Sequence, residues 1–199
     1  MIEQGTTRII TDPGSFNMGL DVGKVDGILI SHEHQDHVDF GLLRKILEQN
    51  PGSLIYSNPA VCDMLAKESI NATSQAEFAI GEFSIKAVGE YHELIHQDLP
   101  RVKNSGFIIN NKLYFPGDSY TLPGQEIELL ALPVGGPWLN FKDAFNFAIA
   151  VKPNKVIVIH DGMYNEQGLS GYVTALPKFV LPKYGIELTI LKPGESIEI

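Results

Sequence analysis

The sequence predicts an α/β fold in one domain spanning residues 1–199, and three observations lead to it. Short β-rich apolar runs recur between turn signals, helical periodicity is confined to a few intervening stretches, and polar residues gather in the loops that follow the runs. The length suits a single hydrophobic core. With 44% hydrophobic and 20% charged residues, the composition is that of an ordinary globular chain, and no apolar run approaches the ~18 residues of a membrane span. The opening MIEQGTTRIITDPG lacks a basic start followed by an apolar stretch, so the expected location is cytoplasmic.

The strands follow in order. TRIITD ends at Pro13-Gly14, DGILIS at the first histidines, SLIYS at Asn58-Pro59 and FSIKAVGEY at His92. SGFIIN and KLYFPGD are joined through Asn110-Asn111 as a tight hairpin, and ELLALPV, KVIVIH and IELTILK complete the set. Helices are expected over residues 39–49, where Leu42, Leu43, Ile46 and Leu47 share a face, and over 60–67. NFKDAFNFAIAVKP forms a third, with Asn140 as its N-cap and Pro153 closing it. A fourth lies in LSGYVTALPKFVLPKYG, limited or kinked by Pro177 and Pro182.

The chemistry gathers in ILISHEHQDHVDFG, where His32, His34, Asp36 and His37 follow a strand. On a helix the two imidazoles of His-x-His would diverge by about 200°, so they converge on one ion only from an extended or looped backbone. Asp36 and His37 point differently from the first pair, so the loop presents two ligand sets to two neighbouring metals. His92, Asp118 and His160 each follow a strand-like run and fit the same two-metal count. The single cysteine, Cys62, excludes a Cys-rich zinc site and reads as a small apolar side chain on a helix. Imidazoles hold borderline divalent ions, and a carboxylate shared by two cations offsets their charge. Two such ions make hydroxide near neutral pH, so hydrolysis is the natural reaction class.

HEHQDH resembles the His-x-His-x-Asp-His signature of the metallo-β-lactamase superfamily, and DPGSF before it and YHE, PGDSY and VIHDG after it stand in that superfamily's order. Within it, the chain is most similar to the compact branch of ascorbate-6-phosphate lactonase-like metal-dependent hydrolases. The resemblance implies a four-layer αβ/βα sandwich with the site between two sheets. It also implies that His32, His34 and His92 bind one metal, that Asp36, His37 and His160 bind the other, and that Asp118 bridges. Against that family's pattern, the usual first strand before the Asp-Pro-Gly element is missing, which leads us to expect a homo-oligomer covering an exposed sheet edge.

The resulting expectation is a dinuclear hydrolase whose bridging hydroxide attacks a small ester, lactone, amide or phosphoester. Asp36 is the catalytic candidate, binding a metal and orienting the nucleophile. Zinc is the expected metal, with manganese and iron as alternatives. His96, Trp138 and Tyr164 are candidate substrate contacts, and His96 is also the replacement ligand should His92 point away. Asp12 reads equally as a supporting residue and as a turn-forming carboxylate. Arg101 and Lys103 are candidate anion contacts, though loop cations are more often simply solvated. The rival readings are a nuclease of the same superfamily and a catalytically idle metal scaffold. A net charge of -9 disfavours nucleic acid as a partner and leaves a small molecule as the expected one.

Overall fold

The computed structural model describes residues 1–199 except Met18 and Leu20. Alternation of side chains along the strands builds its layers. In β2 (Thr7–Thr11), Ile9 faces one apolar cluster and Ile10 the opposite one; in and after β3 (Gly27–Leu29), Ile28 and Ile30 face one way and Leu29 the other. With β1 (Ile2–Gln4) and β4 (Leu54–Tyr56), these strands form a sheet in the order β1-β2-β3-β4. Its outer face packs on α1 (Phe40–Gln49) and α2 (Pro59–Lys67) through Leu42, Leu43, Ile46, Val61 and Leu65.

The second sheet has seven strands: β5 (Glu77–Ile80), β6 (Phe83–Val88), β7 (Gly106–Ile109), β8 (Leu113–Phe115), β9 (Leu129–Pro133), β10 (Lys155–Ile159) and β11 (Glu187–Thr189). Phe107, Ile109, Leu113, Phe115, Leu129 and Ala131 meet Ile9 and Leu29 of the first sheet. Their neighbours Ile108, Tyr114, Leu130 and Leu132 turn outward onto α3 (Phe141–Val151). Helix pair, sheet, sheet and helix layer make the αβ/βα sandwich, with one apolar cluster between each pair of layers.

Local chemistry fixes the joints. Asn110 and Asn111 have φ of 51° and 57°, the left-handed pair of a type I′ turn, and Lys112 N–H closes it on Ile109 O. Asn58, Asp39 and Asn140 cap α2, α1 and α3 by accepting backbone N–H groups of the first turn. The fourth helical stretch, residues 166–184, is irregular where Pro177 removes a donor. Just ahead of that proline, Leu176 N–H reaches back five residues to Gly171 O. Strands β1 and β5 were not expected from the sequence; β1 pairs antiparallel with β2, and β5 with β6. Among the described residues, no helix is long and apolar enough to cross a membrane.

The topology sets where polar loops collect. Strands β2, β3 and β4 run parallel, as do β8, β9 and β10, while β6 and β8 are both antiparallel to β7 and so point the same way. The segments leaving β2, β3, β6, β8 and β10 therefore carry Asp12, the histidine loop, His92, Asp118 and His160 to one edge of the sandwich.

Asn104, buried in that edge, donates to Pro116 O and accepts Asp118 N–H. Asn104→Ala leaves both backbone groups unsatisfied and should cost about 2–3 kcal/mol, lowering Tm by about 4–10 °C in thermal denaturation.

Candidate metal centre

The histidine loop is strapped down on both sides. His37 N–H and Val38 N–H turn back onto His34 O, and Asp39 then caps α1. The Asp-Pro-Gly turn lies against it, with Ser15 N–H on Gln35 O and Asp39 N–H on Pro13 O. A Cβ at Gly14 would stand 1.7 Å from Asp36 O, so only glycine fits there. Gly117 meets Ser31 in the same way, and Gly135 lies against His160 O.

These constraints bring all seven expected ligands together. Three sets of donor atoms lie within 4.8 Å of one another: His32, His34 and His92; Asp36, His37 and His160; and His32, His37 and Asp118. His32 Nε2 is 3.0 Å from His34 Nδ1, and His37 Nε2 is 3.0 Å from His160 Nε2. Two nitrogens bound to one tetrahedral ion stand about 3.3 Å apart, given metal–nitrogen bonds near 2.0–2.1 Å. Asp118 reaches both sides: Oδ1 lies 3.4 Å from His37 Nε2, while Oδ2 lies 3.4 Å from His92 Nε2 and 3.3 Å from His160 Nε2.

The far side of each ring fixes its role. His37 Nδ1 is 2.6 Å from Asp12 Oδ2, and His92 Nδ1 is 2.5 Å from Glu93 O; each partner is an acceptor, so each Nδ1 carries the proton. Each Nε2 is then a lone pair aimed inward. His92 Nε2 and Asp118 Oδ1 are buried without a hydrogen-bond partner, as two donor atoms for a cation would be.

Electrostatics agree with a cation. Burial alone would push His37 down, but the charge of Asp12 and the contact with Asp118 outweigh it and raise the ring to about 10. Against the same burial penalty, Asp118 and Asp36 raise His160 to about 9. Burial works to raise Asp118 too, yet His160, His37 and His92 hold it well below the usual carboxylate range. Asp36 is lowered chiefly by its bond to His160. His32 lies well below the ordinary imidazole value through burial and the neighbouring His37. The carboxylates favour positive charge, but two imidazoliums cannot face each other at 3.0 Å. A metal ion satisfies both conditions.

Of the other expected residues, only Trp138 joins the cluster. Its Nε1–H donates to Asp118 Oδ2 at 2.7 Å, and its ring centre lies 5.6 Å from that of His92. His96 turns to solvent beside Asp98, its side chain 59% exposed, outside the three donor sets and the cavity lining. Tyr164 donates to Val134 O and packs on Phe141 as a strut. Arg101 is engaged with His92 O, and Lys103 with Glu90.

Sequence reasoning missed the depth of Asp12's role: buried at φ 45°, it accepts Ser31 N–H, Ser31 Oγ–H and His37 Nδ1–H. It also missed the pocket, a cavity of about 360 Å³ on the Asp36–His37–His160 side, reached by Phe16, Asn17 and Asp161. The signal was present in SFN directly after Asp-Pro-Gly and in HDG at the end of β10.

The sequence profile of the family described as "Beta-lactamase superfamily domain" matches residues 1–160. This chain belongs to that family. Among its relatives in the superfamily, Protein Rv0786c of Mycobacterium tuberculosis is 31% identical over 169 residues, covering 82% of this chain and 80% of the relative. A protein of Flavobacterium johnsoniae named UPF0173 metal-dependent hydrolase is 25% identical, covering 100% and 95%. The fold is shared with Igni18, a metallo hydrolase of Ignicoccus hospitalis, at a TM-score of 0.65 and 17% identity, covering 87% and 78% of the two chains.

Asp12→Asn keeps the shape but removes the charge behind His37. It should weaken metal binding about 10–100-fold in competition with a chromophoric chelator. Trp138→Phe, which frees Asp118 Oδ2, should weaken it about tenfold with an unchanged far-UV spectrum.

Proposed function

We propose that this member of the beta-lactamase superfamily is a metal-dependent hydrolase that uses two divalent transition ions. The observation that carries the reading is a pair of triads sharing one carboxylate, with lone pairs facing inward from both sides. His32, His34 and His92 would hold one ion and Asp36, His37 and His160 the other, with Asp118 between them. Nitrogen and oxygen donors suit zinc first, with manganese and iron as alternatives. The name carried by the Flavobacterium relative supports the same class.

Bound ions would supply the acidification of water near neutral pH and the polarisation of the bond attacked. The chain's own residues do the rest. Asp36 keeps 29% of its side chain exposed, and its lowered pKa leaves it ionised, so it can orient the attacking water and pass its proton to the leaving group. Asp12 fixes the His37 tautomer, and Trp138 fixes the Asp118 carboxylate. The fitting substrates are small esters, lactones, amides or phosphoesters, sized to a cavity of about 360 Å³. A polynucleotide backbone would meet four carboxylates in that lining and no Lys or Arg side chain.

Purified protein should bind about two equivalents of zinc or manganese per chain, and chelation should abolish hydrolysis of an ester and lactone panel until metal is restored. His34→Ala and His37→Ala should each cut kcat at least about 100-fold and each deplete a different one of the two ions in metal analysis. Protein that neither binds added metal nor changes its Tm in its presence would overturn the reading.

A further inference from the structure

The pocket beside the centre has a chemical character that narrows the substrate. Its inner wall is apolar, formed by Phe115, Val158 and Ile159, and its mouth is Phe16, whose ring lies against Gly162 at the distance a Cβ there would touch, 3.5 Å. Phe16 is 63% exposed, a large apolar surface left at the entrance. The charged part of the lining is four carboxylates, Asp12, Asp36, Asp118 and Asp161, beside the rings of His37 and His160, with no Lys or Arg.

Four carboxylates match the formal charge of two divalent ions, so the loaded site keeps no surplus positive charge for an anionic substituent. Arg101 and Lys103 do not line the cavity: Arg101 donates to His92 O and stacks on Tyr91, and Lys103 is held by Glu90 over the same ring. Among the described residues, the Asp161 carboxylate makes no hydrogen bond or ion pair, although it lines the cavity. It is an acceptor free for a substrate donor.

We infer, on the basis of the hydrolase reading above, that the substrate is a small ester, lactone or amide with an apolar body, neutral or cationic at its far end, and without a phosphate or other remote anion. The apolar body lies along Phe16 and the β10 wall, and a hydroxyl or ammonium at its far end faces Asp161. For an ester, water oxygen bonds to the acyl carbon, the acyl C–O bond breaks, one water proton goes to the alkoxide leaving group, and a carboxylic acid and an alcohol result.

The test uses the full chain loaded with zinc and three butyrate esters of one alcohol skeleton whose far end is a methyl, an ammonium or a phosphate. The methyl and ammonium esters should show kcat/KM at least about tenfold above the phosphate ester at low ionic strength, a gap that narrows as salt is raised. Asp161→Asn, with metal content measured in the same sample, should shrink the gap by lowering the ammonium ester's rate. Phe16→Ala should raise KM for the methyl ester more than it lowers kcat. A phosphate ester hydrolysed as well as or better than the others overturns the inference while leaving the hydrolase reading intact. Should none of the three turn over, the hydrolase reading loses its support, and the matching ethers decide the inference separately. Trp138, the only tryptophan, reports their binding by fluorescence. Tighter binding of the phosphate ether than of the methyl ether would then overturn it.

Discussion

The carboxylate of Asp12 holds two strand ends and a ligand ring in one place. Its oxygens accept Ser31 N–H and Ser31 Oγ–H from the segment after β3, and His37 Nδ1–H from the loop beyond. It is 9% exposed, so it needs these donors as much as they need it. One buried charge therefore sets the spacing between β2 and the histidine loop, the orientation of His37 and, through Ser31 Oγ near His32 Nδ1, the setting of a second ring. Replacing any one donor would leave the others facing a poorly compensated charge.

That arrangement places opposed demands on the centre. Asp12, Asp36 and Asp118 favour protonated imidazole, whereas burial and crowding of five rings favour neutral ones. His37 and His160 are pulled up and His32 and His34 pushed down within a few ångströms. Protons alone cannot resolve this, because the atoms that would carry them face one another. A divalent ion does so by presenting one positive centre to several lone pairs at once. A metal ion held by these donors would meet those opposed demands together.

The cluster of candidate ligands was legible in the sequence because much of its signal is local. His32 and His34 can converge on one ion only from an extended or looped backbone, and His92, Asp118 and His160 each stand just past an apolar run. The helix caps and the Asn110-Asn111 hairpin were legible for the same reason. What could not be read depends on contacts across the chain. Asp12 in an Asp-Pro dipeptide looks like a turn until Ser31 and His37 arrive from another strand. Trp138 reads from the sequence as a candidate substrate contact, and nothing local to it shows that its ring N–H donates to Asp118. His92 and His96 are four residues apart, and tertiary contacts such as the Tyr91–Lys103 bridge and Glu93 N–H on Asp118 O decide which turns inward. Strands β1 and β5 are three and four residues long, and partner strands define them more than their own residues do.

The backbone turns into an uncommon conformation at two of the site residues. Asp12 and His160 have φ of 45° and 60°, left-handed conformations that cost a non-glycine residue about 1–3 kcal/mol. Both lie where a strand ends and a polar side chain must turn into the junction between sheets. Asp12 N–H is bonded to Leu29 O, and Gly135 gives His160 O the room its turn requires. Strand pairing and close backbone contacts hold both turns, so the frame carrying His160, and Asp12 behind His37, is set by the fold's own contacts.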